Sequence, residues 1–109
     1  MSQTSFRAGS GSYQAVRPLS LTISAIPGFT TAIETYSATA GNITTGNIAD
    51  LTTDSLVTAE FASPATVGLG LILENAYIGS TGVLTLVYYN ETASTITPAA
   101  ATQVNLLVF

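Results

Sequence analysis

Across 109 residues the chain carries two arginines and no lysine against six carboxylates, a net charge of −4 at neutral pH. So few cations cannot neutralise a run of phosphates, which excludes nucleic-acid binding and attraction to an anionic membrane surface. The absence of histidine and cysteine removes the commonest general base and the thiol nucleophile, together with zinc ligation and disulfides.

The length fits one domain with one core. Only 7% of residues are charged, against about 25% in typical soluble domains; Thr, Ser, Ala and Gly take their place. Two readings follow: a hydroxyl-rich surface on a free monomer, or a surface largely covered by partners. The second is preferred, because interface centres are depleted in charge.

Residues 1–17 form an extended N-terminal arm by composition. They are rich in Ser, Gly and Gln, hold both arginines, Arg7 and Arg17, and carry the isolated aromatics Phe6 and Tyr13. Small residues such as Gly9 to Ser12 flag flexible chain, whereas scattered aromatics point to docking. The segment has no apolar stretch of the signal-peptide kind, and no run approaches the roughly 18 apolar residues that span a bilayer. Synthesis in a cytoplasm without cleaved export, and no membrane partner, are the expectations.

From residue 18 to 109 the periodicity is two. Leu19, Leu21, Ile23 and Ala25 alternate with Ser20, Thr22 and Ser24, the pattern of a half-buried strand. Pro27-Gly28 predicts a turn. Alternation resumes with Ala32, Glu34, Tyr36 and Ala38 on one face and Thr31, Ile33, Thr35, Ser37 and Thr39 on the other. Neither face is wholly apolar, which fits an edge strand. Residues 40–54 read as a long loop with at most one short strand.

A strand over "SLVTAEF" stops at Ser63-Pro64. Next comes "VGLGLILENAYI", whose Gly68 and Gly70 mark the opening of a strand or a bulge. "GSTG" makes a hairpin into "VLTLVYY", which Asn90 ends. After a loop over 90–101 that holds Pro98, "TQVNLLVF" closes the chain. In it Val104, Leu106 and Val108 form a core face, and Leu107 and Phe109 on the other face predict that the outside of the sheet is covered too. Many short strands with turns every 8–12 residues or so predict an all-β fold: an antiparallel β-sandwich, immunoglobulin-like or jelly-roll-like, behind the arm.

Chemistry is sparse. No phosphate-binding glycine motif occurs, and Glu34, Asp50, Asp54, Glu60, Glu74 and Glu91 sit among ordinary strand and turn residues. A carboxylate pair would need a shaped cleft. Asn47, Asp50 and Asp54 lack EF-hand spacing and read as turn caps. The sequons at Asn42 and Asn90 read as turns as well. No residue is assigned a catalytic, cofactor-binding or metal-binding role, no cofactor is expected, and the expectation is a protein that is not an enzyme.

From Leu51 to Phe109 the order of pieces resembles small β-rich structural proteins of tailed bacteriophages. A "GLGL" opening is followed by "ENAYI", "GVLTLVYYN", a loop with Asn90, Thr92, Ile96 and Pro98, and an apolar final strand. The upstream "FTTAIETYSATA" fits too, while residues 40–50 are extra to the pattern. Members of that group look like capsid cement, or decoration, proteins. The resemblance implies a homo-oligomer, often a trimer, that binds major capsid protein on the virion surface and clamps neighbouring capsomers. Partner-binding roles then fall to Phe6 and Tyr13 as pocket anchors, Arg7 and Arg17 as partners of acidic capsid groups, and Leu107 and Phe109 on the covered face. The alternative is a tail or fibre module for carbohydrate recognition, in which Tyr88 and Tyr89 stack on sugars; adjacent strand residues point to opposite sides, so one of the two belongs to the core.

Overall fold

The computed structural model describes residues 15–63, 67 and 70–109. Phe6, Arg7 and Tyr13 lie outside the described residues. Among the described residues seven strands follow in order: β1 (Ala15–Leu21), β2 (Thr31–Tyr36), β3 (Ile43–Thr45), β4 (Val57–Phe61), β5 (Leu71–Ser80), β6 (Val83–Asn90) and β7 (Thr102–Val108). They form a four-stranded sheet ordered β3-β1-β7-β4 and a three-stranded sheet ordered β2-β6-β5, antiparallel throughout. The chain is an all-β sandwich. Consecutive β1 and β2 lie in different sheets, unlike the neighbouring first two strands of an immunoglobulin domain. Instead β1 pairs with β7 and β2 with β6, one pair nested inside the other in the jelly-roll manner.

Alternation sets what each sheet buries. Leu19 and Leu21 of β1, Val104 and Leu106 of β7, and Leu84, Leu86 and Tyr88 of β6 all point inward and are essentially inaccessible. Ile26, Ile48, Leu51, Leu71 and Ile78 belong to the same cluster. Each such side chain contributes about 1.5–3 kcal/mol on burial, and this is the main term holding the two sheets together.

The apolar final segment finds its explanation here. β7 runs between β1 and β4, paired over Thr102–Val108 with β1 and over Val104–Val108 with β4. A central strand must be apolar on its core face and has no free edge to solubilise.

Two boundaries move from their sequence-based positions. β1 begins at Ala15, so residues 15–17 belong to the sheet. It ends at Leu21, although the alternation continues to Ala25. Past Leu21 the chain crosses from one sheet to the other: the Thr22 amide donates to the Asn42 carbonyl, and Ile26 pairs with Ile96 in an isolated bridge. Ile23 still plugs the core. The two-residue pattern thus reports alternating burial, and the ladder stops earlier. In the 40–54 loop, β3 is the one short strand, and Ile48 and Leu51 anchor the rest. Gly46 leaves β3 with φ +104°, where a Cβ would run into Leu19 and the Pro18 carbonyl.

Candidate interaction surfaces

Cross-strand pairing places on one face residues that are far apart in sequence. On the outer side of the β2-β6-β5 sheet the register lines up Thr31 with Tyr89 and Ile72, Ile33 with Val87 and Asn75, and Thr35 with Thr85 and Tyr77. The result is a three-by-three grid without a single charge. Ile33 is 68% exposed, Tyr77 46% and Ile72 42%. A bulge at Glu74, between Leu73 and Asn75, brings Asn75 onto this face in place of the carboxylate. Large exposed apolar residues without counterbalancing charge mark contact surfaces.

A second patch lies on the outside of the other sheet. Leu107 of β7 is flanked by Val16 of β1 and Thr58 of β4, and the Phe109 amide donates to the Leu56 carbonyl. Val16, Leu56 and Phe109 are exposed and Leu107 is partly so. Leu107 and Phe109 therefore sit together on the outer face. Glu60 shares that face opposite Asn105, so this patch is smaller and interrupted.

Arg17 has a partner within its own chain. Its guanidinium clasps Asp50 through Nη1–Oδ1 at 2.6 Å and Nη2–Oδ2 at 2.8 Å, and Nη1 also donates to the Asn47 carbonyl at 3.2 Å. The reason is local: Arg17 points to the inner side of β1, where the loop after β3 passes. The fork geometry suits a carboxylate, and this hydrogen-bonded pairing lowers the Asp50 pKa to about 2. Asn47 caps the same loop, its Oδ1 accepting from the Ala49 amide at 2.8 Å, which is the turn role read from the sequence.

Inside the sandwich the Tyr36 and Tyr88 hydroxyls meet at 2.8 Å. Tyr36 donates to Glu34 Oε1 at 2.6 Å, and Ser24 Oγ donates to Glu34 Oε2 at 2.6 Å. Tyr88 also stacks on Phe61, the ring centroids 6.2 Å apart. An unpaired buried hydroxyl would cost about 1–3 kcal/mol; the chain of hydroxyls ending on an accessible carboxylate avoids that. Burial raises both phenol pKa values strongly, and for Tyr36 the neighbouring Tyr88 and Glu34 add to it. Of the adjacent tyrosines, Tyr88 is core and Tyr89 faces out. The outer companion of Tyr89 is Tyr77, which sequence spacing alone does not reveal.

Asn90 is fully buried and fully satisfied. Its Nδ2 donates to the carbonyls of Ile26 at 2.9 Å and Ser94 at 2.8 Å, and its Oδ1 accepts from the Thr92 amide at 2.9 Å and the Thr92 hydroxyl at 2.7 Å. Asn42 Nδ2 donates to the Thr35 carbonyl at 2.8 Å. Both sequon asparagines thus bond the backbone at a strand end, Asn42 just before β3 and Asn90 as the last residue of β6.

A cleft of about 660 Å³ opens beside β3, lined by Ser37, Ile43, Asn47, Ile48 and Val83 among others. Its size is that of a small-molecule site. The Ser37 hydroxyl and Asn47 amide on its wall already serve the loop backbone. Among the described residues no three His, Cys, Asp or Glu side chains gather as a metal site would require.

Searched against known protein families, curated proteins and solved structures, the chain matches none of them.

Proposed function

We propose that this chain is a non-enzymatic structural protein of a virion, a cement or decoration protein that binds the outside of the head and clamps neighbouring capsomers of major capsid protein. The uncharged three-by-three grid on the outer face of the β2-β6-β5 sheet carries the reading. A chain with net charge −4 repels copies of itself and acidic neighbours wherever its carboxylates face them. An uncharged face of Ile, Val, Tyr and Thr is where it can be covered without that repulsion. Burying such a face yields roughly 25 cal/mol per Å² of apolar area and demands no buried ion pair. The phage resemblance of the strand and loop pattern supplies the kind of assembly.

Quantification of purified particles tests this. Copies in proportion to capsomers support a cement role; absence from the head, or the handful expected of a tail part, overturns it. Removing residues 1–17 is no clean test of the arm, since β1 starts at Ala15. Deleting 1–14 should weaken attachment to heads and leave the sandwich folded.

One observation favours a second reading. Tyr77 and Tyr89 share the same open face, and aromatic rings beside Thr and Asn side chains suit stacking on uncharged sugars. A glycan screen that binds the parent chain and loses signal with Tyr77→Ala would move the assignment to a tail or fibre recognition module.

A further inference from the structure

Every sandwich has edge strands whose outward amides and carbonyls invite another strand, and proteins normally blunt them. Here β4 and β5 guard one another: Val57–Ala59 and Leu73–Ala76 line a common crevice, with Glu60, Glu74 and a bulge at hand. β3 is three residues long. That leaves β2. Its six residues, TAIETY, contain no lysine, no proline and no bulge, and its single charge, Glu34, is engaged by Ser24 and Tyr36.

The direction of the free groups is fixed. The Asn90 amide donates to the Thr30 carbonyl, so the even-numbered residues 30 to 36 turn their main chain toward β6, and the odd ones turn theirs outward. Thr35 agrees, since its carbonyl receives the Asn42 side chain. Thr31 and Ile33 therefore present two amides and two carbonyls to the outside.

We infer that β2 pairs antiparallel with β2 of a second copy of this chain across a two-fold axis at Ala32. In this register Thr31 lies opposite Ile33 of the other copy, and the reverse, giving four main-chain hydrogen bonds. Sliding by one pairing step would set Thr31 against Thr35, whose carbonyl is already capped; the two-fold at Ala32 leaves that cap undisturbed. It also leaves Glu34 opposite Thr30, so no like charges meet. An edge that is not blunted is a template for another extended strand, and an identical strand matches β2 in length while this register keeps the two Glu34 carboxylates from facing each other.

The product is a six-stranded sheet, β5-β6-β2-β2-β6-β5, whose two uncharged grids join into one face. It is a two-fold dimer in place of the trimer the resemblance implies. The inference stands on the edge alone, whether the enlarged face meets a capsid or a glycan.

Light scattering of the full chain should give twice the 11.2 kDa chain mass, falling to the monomer for Ile33→Lys with an unchanged circular dichroism spectrum. Because Cα atoms of such a facing pair are about 4.5 Å apart, within disulfide reach, Ala32→Cys should form a disulfide-linked dimer on oxidation, and Thr35→Cys should not. In the unmodified chain the Thr31 and Ile33 amides should exchange slowly with deuterium. A monomer or trimer, a dimer indifferent to Ile33→Lys, crosslinking at 35 in place of 32, or fast exchange at both amides overturns the inference.

Discussion

Replacing Asn90 by alanine removes four hydrogen bonds from a site with no solvent access, but the four losses are unequal. The Ile26 carbonyl keeps the Ile96 amide, and the Ser94 carbonyl keeps the Thr92 hydroxyl. Those two bonds lose only their net worth, about 0.5–1.5 kcal/mol each. The Thr92 amide loses its acceptor, at about 1–3 kcal/mol when buried and toward the low end here because its surroundings are only partly closed. The missing amide also leaves a small void. Together the change should cost roughly 3 kcal/mol, a large share of the 5–15 kcal/mol typical of a domain. Urea denaturation followed by circular dichroism should show the midpoint falling by about 1–3 M at an unchanged slope, for a slope of about 1–3 kcal/mol per molar. Asn90→Asp keeps the acceptor for Thr92 but turns a carboxylate oxygen toward two carbonyls, and should be at least as destabilising. A loss under about 0.5 kcal/mol for Asn90→Ala would refute the claim that this side chain, and not the backbone around it, holds the 90–96 loop to the sandwich.

Tyr36→Phe and Tyr88→Phe should each cost about 1–2 kcal/mol, and the double variant about 1 kcal/mol less than their sum, because the two hydroxyls share a bond; denaturant melts of the four proteins close the cycle. Both phenols have raised folded-state pKa values, so the stability they confer is complete below the unfolded value of about 10 and is lost as pH rises beyond it. Absorbance near 295 nm should show Tyr36 and Tyr88 ionising only together with unfolding. Asp50 behaves in the opposite sense: its lowered pKa of about 2 gives stability that is present above the unfolded carboxylate value of about 3.9 and fades as pH falls toward about 2. Asp50→Asn should flatten that part of the acid titration of stability, and Arg17→Gln should do the same.

How much of this could be read in advance depends on what each signal measures. Two-residue alternation located every strand longer than three residues, because inward and outward positions differ in burial whatever the topology. It overran at Ile23, where burial continues past the ladder, and it hid β1's first turn of chain beneath an arm-like composition. The edge position of β2 was legible in its mixed faces. The pairing of Arg17 with Asp50 was not legible because the two lie 33 positions apart, and nothing local announces a contact of that separation. The grid was invisible for a related reason: Tyr77, Val87 and Ile33 come together only through pairing register, and that register turns on a single bulge at Glu74. The Tyr88–Tyr89 parity, by contrast, was settled by strand geometry alone.

The pairing of β1 with β7 has a mechanical consequence. Ala15 lies opposite Val108, so tension applied at these two points would peel the strands apart one rung after another and never load several rungs at once. Pulled that way the sandwich is weak. A molecule wired like this withstands strain only when gripped across its broad sides, and a pulling experiment that attaches the handles at Ala15 and Val108 should open it at far lower force than one that draws β7 lengthwise past β4.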